Sequence, residues 1–170
     1  MCEENLAAVV GAFYSAHRQE LFTYALSITR AADVAEDAVH EAIRRLLSNK
    51  HVPREIRPYA FRCVRNAALD LLRQAQRDAR KLEDYRLLFD DAHHEPLRES
   101  VAELLAELTE QEREIVVLKI FSGLTFREIS DVCGARQGTV ASSYWRCLNR
   151  LRENFAPSDN PNFQTGEQQA

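Results

Sequence analysis

The stretch TFREISDVCGARQGTVASSYWRCLNRLR, residues 125–152, carries the clearest structural signals of any part of this chain. Thr125 is followed three residues later by Glu128, the spacing of a capping box at a helix N-terminus. Gly134 then marks the end of that helix, because glycine is the usual residue just past a helix C-terminus. Beyond the turn, apolar residues recur every three or four positions, which predicts a second helix that is buried along one side. That apolar stripe consists of Val140, Tyr144, Leu148, Leu151 and Phe155.

The opposite side of the second helix is predicted to be polar and cationic. It presents Thr139, Ser142, Ser143, Arg146 and Arg150. Two short helices joined by a tight turn that contains a glycine form the helix-turn-helix pattern, whose second helix enters the major groove of DNA. Any helical hairpin with a glycine turn gives the same pattern, so these residues alone leave DNA binding and a plain hairpin both open.

The composition predicts an all-helical chain. Among 170 residues there are only five Gly and five Pro, and helix-favouring Ala, Leu, Arg and Glu dominate. The length fits one domain or two small ones. No run reaches the ~18 apolar residues of a membrane span, and no signal-peptide pattern opens the chain, so we expect a cytoplasmic protein without direct membrane insertion.

The potential metal ligands do not form a recognisable site in the sequence. The four cysteines, Cys2, Cys63, Cys133 and Cys147, lie at no metal-binding spacing, and three of them fall on or beside apolar faces, where reduced cysteine acts as a small apolar residue. The His93-His94-Glu95 run is typical of a polar loop. We therefore expect no metal and no other cofactor.

Charge is unevenly distributed, although the formal net charge is only −4. Residues 54–81 hold eight basic and three acidic side chains, residues 83–114 hold three basic and eleven acidic ones, and residues 136–152 hold four basic and none acidic. Two basic blocks separated by an acidic one suit two separate contacts with one long polyanion.

The first half of the chain predicts three helical segments. Residues 5–30 form a helical pattern with a bend or break around residues 15–19, and Asp33 with Glu36 has the spacing of a capping box that opens the next helix. Residues 48–58 contain two prolines and read as a loop. Residues 59–76 return to helix, and their aromatic residues interleaved with arginine are typical of single-stranded nucleic-acid binding, although surface arginine with one core aromatic gives the same pattern.

The second half predicts a small helical domain behind a linker. Residues 82–100 are acidic and lack a sustained apolar stripe, whereas the helical pattern resumes at residue 101, and Thr109 with Glu112 gives another capping box. We expect an all-α chain of two small helical domains, residues 1–81 and 101–156, joined by an acidic linker, residues 82–100. Residues 157–170 are polar and are expected to be disordered.

Together, three segments resemble the bacterial extracytoplasmic-function (group IV) sigma factors, the smallest dissociable specificity subunits of RNA polymerase. AEDAVHEAIRRLL (residues 35–47) is similar to the family's clamp-binding helix, and YAFRCVRNAALDLLR (residues 59–73) is similar to its promoter-melting helix. Residues 108–153 resemble its reader of the upstream promoter element. The resemblance implies sigma region 2 before the linker, a sigma region 4 helix-turn-helix after it, and no enzymatic activity.

The resemblance also implies roles for individual residues. The surface that binds core RNA polymerase would include Asp33, Glu36, Asp37, His40 and Glu41. Recognition and melting of the minus-ten element would use Asn49, Lys50, His51, Arg54, Arg57, Tyr59, Arg62, Arg65, Asn66 and Arg73. Reading of the minus-thirty-five element would use Arg136, Thr139, Ser142, Ser143, Arg146 and Arg150. The implied partners are the clamp and flap of core RNA polymerase, promoter DNA and an anti-sigma factor, with no small-molecule substrate.

The sequence departs from the family pattern in the second helix of the helix-turn-helix. Ala141 and Ser143 stand where the family usually has Lys or Arg, and Arg136 replaces the usual small residue or proline. Each missing bidentate contact would remove roughly 1–3 kcal/mol of duplex recognition.

Two other functions stay open at this point. The first is a sigma-like decoy that binds an anti-sigma factor without productive DNA binding, which the weakened positive charge of the second helix would permit. The second is a homodimeric helix-turn-helix repressor, which would leave residues 35–47 and 59–73 without a role.

Overall fold

The computed structural model describes residues 2–49, 53–81 and 108–155, and within those ranges it contains helices and no strand. The all-α fold predicted from the sequence is therefore confirmed. The described helices are α1 (Cys2–Thr29), α2 (Ala32–Leu47), α3 (Ile56–Lys81), α4 (Glu110–Ile120), α5 (Phe126–Cys133) and α6 (Gln137–Phe155).

Helix α1 runs without interruption through residues 15–19, so the predicted break there is wrong. This segment contains no proline or glycine, and local side-chain contacts support it. The rings of Phe13 and His17 lie 4.7 Å apart, and His17 Nδ1 lies 3.1 Å from Glu20 Oε1. Contacts at three- and four-residue spacing stabilise consecutive helical turns, which is why the helix stays continuous.

The corner between α1 and α2 differs from the predicted capping box. Ala31 is the N-cap and makes no side-chain capping hydrogen bond, so Asp33 lies inside the first turn of α2 and does not cap it. The preceding residue, Arg30, has a φ of 57°, which reverses the chain and lets the Ala31 carbonyl accept the Ala35 N–H at 2.9 Å. The Asp33 carboxylate still interacts favourably with the positive, N-terminal end of the helix dipole.

The first module consists of α1, α2 and α3 packed against one another. Leu21, Tyr24, Leu46 and Phe61 are fully buried at its centre. Helix α3 begins at Ile56, within the stretch predicted to be loop. Pro58 therefore occupies the first helical turn, where its missing N–H costs nothing.

The second module consists of α4, α5 and α6, and its predicted boundaries are confirmed at the start of two helices. The Thr109 and Thr125 side chains accept hydrogen bonds from the backbone N–H groups of Glu112 and Glu128. The carboxylates of these glutamates accept hydrogen bonds from the backbone N–H groups of the two threonines, which completes two capping boxes. Helix α5 ends at Gly134, whose φ of 67° lies in the left-handed region. The Thr125 capping box and Gly134 thus mark the two ends of the first helix of the helix-turn-helix.

The two modules also pack against each other. Helix α3 contacts α5 and α1 contacts α4, and one cluster of buried residues runs through both modules. The predicted linker, the His93-His94-Glu95 run and the predicted tail lie outside the described residues, as do residues 101–107. The sequence predicted two helical modules but did not predict that they share a core.

Candidate nucleic-acid interface

The outer face of α6 carries most of the polar side chains predicted to reach duplex DNA. Thr139, Ser142, Arg146 and Arg150 are exposed on this helix, and Arg136 is exposed immediately before it. The inner face is formed by Val140 and Cys147, both fully buried. The helix therefore presents a hydrogen-bonding, cationic surface and is anchored through its apolar side.

Ser143 was predicted to lie on this outer face, and that placement is wrong. It is only 9% exposed, because it follows Val140 by three residues and precedes Cys147 by four, which puts it on the buried stripe. Its Oγ accepts a hydrogen bond from Arg146 Nη2 at 3.2 Å. Ser143 therefore holds the exposed Arg146 side chain through a hydrogen bond. Leu148, which was predicted to lie on the buried stripe, is only half-buried.

Arg150 is paired within its own module. Its Nη2 lies 2.9 Å from Glu112 Oε2, the carboxylate that also accepts the Thr109 N–H at 3.0 Å. Arg150 and Thr109 hold the pKa of Glu112 at about 2 against the opposing effect of burial. The Arg150 side chain is 47% exposed and the Glu112 side chain is 18% exposed, so this ion pair lies at the edge of the module.

A second polar cluster lies where α3 begins. Tyr59 is half-buried, Arg62 lies over its ring at 5.1 Å, and its hydroxyl accepts a hydrogen bond from Asn49 Nδ2 at 3.2 Å. Arg54, Asn66 and Arg73 are exposed as well. Lys50 and His51, assigned to the same function, lie outside the described residues.

Of the two aromatic residues at the start of this helix, only Tyr59 is accessible to a base. Phe61 is fully buried, and its ring centroid lies 5.5 Å from that of Tyr24. Phe61 is therefore a core residue. Of the aromatic residues interleaved with arginine in this stretch, Tyr59 alone is available to stack on a base, beside Arg62.

Two arginines of the predicted melting site point toward the second module. Arg65 donates from Nε to Glu114 Oε1 at 2.6 Å and from Nη2 to Oε2 at 3.3 Å. Arg57 Nη2 donates to Glu20 Oε2 at 3.1 Å and to the Ser122 carbonyl. Glu114 is not among the residues predicted from the sequence, although a glutamate beside the apolar run of residues 115–118 is a signal that its carboxylate needs a buried partner.

The helical face predicted to bind polymerase lies on the outside of α2. Asp33, Glu36, Asp37 and His40 are exposed, and Glu41 is half-buried. Glu41 lies 2.7 Å from Arg44 and 2.8 Å from Arg45, and these hydrogen bonds, Arg44 first, lower its pKa. The face is thus acidic at its start and charge-balanced at its end.

Cys63, Cys133 and Cys147 are free cysteines. Burial raises the pKa of each thiol, and for Cys133 burial and the nearby Glu114 carboxylate raise it to about 12. Such thiols are almost entirely protonated at neutral pH, which makes them poor nucleophiles. Among the described residues, no group of three His, Cys, Asp or Glu side chains could hold a metal ion.

None of the described helices combines the length and the apolar character needed to cross a membrane.

Comparison with known proteins relates both modules to one family. The Sigma-70 region 2 family matches residues 13–78, and the Sigma-70, region 4 family matches residues 98–151. RNA polymerase sigma factor SigV of Bacillus subtilis is 27% identical over 150 residues, covering 84% of this chain and 89% of that protein. ECF RNA polymerase sigma factor SigL of Mycobacterium tuberculosis is 28% identical over 156 residues, covering 86% and 88%.

Two solved structures share the fold. The sigma factor RpoE in complex with the anti-sigma factor NepR, from Bartonella quintana, superposes with a TM-score of 0.67 at 21% identity, covering 92% of this chain and 97% of that one. CnrH in complex with the cytosolic domain of CnrY gives a TM-score of 0.65 at 20% identity, covering 92% and 94%. With region 2 and region 4 matched in that order along one chain and extracytoplasmic-function proteins among its relatives, the chain belongs to the extracytoplasmic-function sigma factors.

Proposed function

We propose that this sigma factor binds core RNA polymerase and directs transcription initiation at specific promoters, with region 2 opening the minus-ten element and region 4 reading the minus-thirty-five element. The observation that carries the proposal is the pair of accessible polar surfaces, one on α3 and one on α6, each on a helix whose opposite side is packed into the apolar core. Two basic surfaces on one chain can hold two sites of the same polyanion.

The region 4 contact uses the outer face of α6 in the major groove. Arg146, held by Ser143, and Arg136 supply cations, while Thr139 and Ser142 supply hydroxyl groups for base edges or phosphates. Because Ala141 cannot contribute a charge and Ser143 is buried, this helix lacks two of the cations usual in the family. We therefore propose that its affinity for duplex DNA alone is low, and that attachment to core polymerase supplies the remainder.

The region 2 contact uses the start of α3. Extruding a base from a duplex costs a few kcal/mol, and stacking on an aromatic ring returns about 1–3 kcal/mol per base. Tyr59 offers that ring, and Arg62, Asn66 and Arg73 lie exposed along the same helix for the opened strand.

The proposed polymerase contact is the exposed acidic face of α2, with Asp37 and His40 near its centre, opposite the clamp. A separate contact of region 4 with the flap completes the attachment. Since core polymerase works on chromosomal DNA, we place this chain in the cytoplasm, and since the polymerase performs the chemistry, we propose that the chain itself is not an enzyme.

We further propose the finer assignment to group IV, with residues 1–81 and 101–156 as its two domains. The two matched regions are separated by only residues 79–97. An interval of this length is below the ~40 residues that a separate domain needs to fold without a cross-link or metal, which fits the smallest class of sigma factor.

An anti-sigma factor is the expected regulatory partner. The sigma factor RpoE named above was crystallised with the anti-sigma factor NepR, and CnrH was solved in complex with the cytosolic domain of CnrY. Both structures cover most of this chain. The same similarity fits the second candidate, a decoy that binds an anti-sigma factor but starts no transcript.

Transcription reconstituted from purified chain and core polymerase tests the proposal and separates the two candidates. Genomic DNA is transcribed with and without the chain, and the 5′ ends of the products are sequenced. A sigma factor yields a discrete set of new start sites with a shared upstream sequence. A chain that binds core polymerase or an anti-sigma factor yet produces no new start sites would be the decoy.

A further inference from the structure

The contact between the two modules centres on one buried carboxylate. Glu114 on α4 is 7% exposed and accepts three hydrogen bonds from the first module. Two come from Arg65 on α3, at 2.6 and 3.3 Å. The third comes from the hydroxyl of the fully buried Tyr24 on α1, at 2.6 Å. A guanidinium that donates to both carboxylate oxygens makes the same kind of bidentate contact that it makes with a phosphate.

A second arginine of α3 is engaged independently. Arg57 Nη2 donates to the carbonyl of Ser122, in the turn after α4, and to Glu20 of α1. Its Nε is buried and finds no hydrogen-bond partner among the described residues, and the Ser122 Oγ is in the same situation. This contact occupies Arg57 but leaves two buried polar groups without a hydrogen-bond partner among the described residues, which lowers the stability of the closed arrangement.

Both arginines belong to the surface proposed to open the minus-ten element. We propose that region 4 masks this surface in the free chain, and that the carboxylate of Glu114 occupies the position of a DNA phosphate on Arg65. The inference rests on the proposed function, because it concerns regulation of the same site. Closure of the two modules and binding of the opened strand then exclude each other.

The distance between the two promoter elements supports this exclusion. Elements centred about 25 base pairs apart lie about 85 Å apart along B-form DNA at 3.4 Å per pair. A compact chain of this length is only about 40 Å across. The closed arrangement, with α3 against α5, therefore cannot hold both elements, and the modules must separate before both are bound.

The polar part of the contact is suited to opening, and it lies beside the apolar residues that the two modules share. A buried ion pair contributes little net stability, because the loss of hydration of both charges offsets their attraction. The unsatisfied atoms of Arg57 and Ser122 further reduce the net gain. Binding of core polymerase to the separated modules can thus displace the closed state, since a ligand shifts an equilibrium toward the state it binds better.

The test compares Glu114→Gln with Arg65→Ala and with the matched control Glu110→Gln, which removes an exposed charge from the first turn of the same helix. Small-angle scattering of the free chain reports separation of the modules as an increased radius of gyration. Fluorescence anisotropy with a labelled 15-nucleotide mixed-sequence DNA strand reports access to Arg65. Circular dichroism checks that each variant is folded.

We expect Glu114→Gln and Arg65→Ala both to increase the radius of gyration, and only Glu114→Gln to bind the strand three- to tenfold more tightly. Glu110→Gln should match the unmodified chain in both measurements. If Glu114→Gln fails to fold, Tyr24→Phe removes a hydrogen bond to the same carboxylate and keeps the core ring; it should give a smaller change in the same direction. An unchanged radius and unchanged strand affinity in the folded variant would overturn the inference.

Transcription assays separate this outcome from failure of the proposed function. If the unmodified chain starts promoter-specific transcripts and Glu114→Gln leaves scattering and strand binding unchanged, only the masking is refuted. If no variant starts transcripts, the proposed function fails, whereas the scattering comparison still decides whether Glu114 closes the chain.

Discussion

Replacing Phe61 and Tyr59 separately by leucine distinguishes a core aromatic residue from one that serves DNA. Phe61 is fully buried and its ring lies 5.5 Å from that of Tyr24. Leucine removes an aromatic pair of about 0.5–1.5 kcal/mol and leaves a packing defect of about 0.5–1.5 kcal/mol. Phe61→Leu should therefore lower the free energy of unfolding by about 2 kcal/mol, and the melting temperature by roughly 4–8 °C.

Tyr59→Leu should show the opposite pattern. Its ring is half-buried and lies beneath Arg62, so its loss affects the core little, but it removes stacking of about 1–3 kcal/mol on an extruded base. We expect a 5- to 150-fold loss of open complexes with a small change in melting temperature. Thermal unfolding followed by circular dichroism, and permanganate footprinting of the promoter with core polymerase, measure the two effects. A Phe61→Leu variant with unaltered melting temperature and impaired opening would refute this division of roles.

The remaining predictions concern the two binding surfaces and one capping box. Asp37→Arg should weaken capture of core polymerase at least tenfold in a pull-down, whereas Asp131→Arg, which changes another exposed aspartate, on α5, should not. Equal effects of the two substitutions would mean that the acidic face of α2 is not the contact. Arg146→Ala should reduce protection of the minus-thirty-five element in footprinting with little change in melting temperature, and full protection would show that α6 is oriented differently. Because Arg150 and Thr109 hold the pKa of Glu112 at about 2 against burial, the stability that this carboxylate adds is present above about pH 4.5 and is lost as the pH falls toward 2. Urea unfolding across that range should show a shallower pH dependence for Glu112→Gln, and parallel curves would exclude the ion pair as the cause.

Local signals in the sequence were enough to predict the helix-turn-helix. Each of these signals, the capping boxes at Thr109 and Thr125 and the left-handed Gly134, depends only on residues within one helical turn. Such signals can therefore be predicted from the sequence. The same reasoning was wrong for Asp33, because the conformation of Arg30 moved the start of α2 to an earlier residue that no side chain caps.

Two kinds of feature could not be read from local spacing. The exposure of Ser143 depends on the phase of the whole α6 stripe, and including Cys147 as an apolar residue would have corrected it. The pairing of Arg65 with Glu114 joins residues 49 positions apart, and the hydrogen bond from Tyr24 spans 90. No periodicity encodes such contacts, because they depend on how the finished modules pack.

That long separation has a consequence for synthesis of the chain. Translation at about 5–20 residues per second delivers Glu114 between about 2 and 10 s after Arg65, since 49 residues separate them. During that interval Arg65 in the nascent first module lacks its partner Glu114. The module can therefore bind a nucleic acid or a protein while the chain is still attached to the ribosome. Docking of region 4 is then the last folding event, and a partner that binds the nascent module early enough would prevent it.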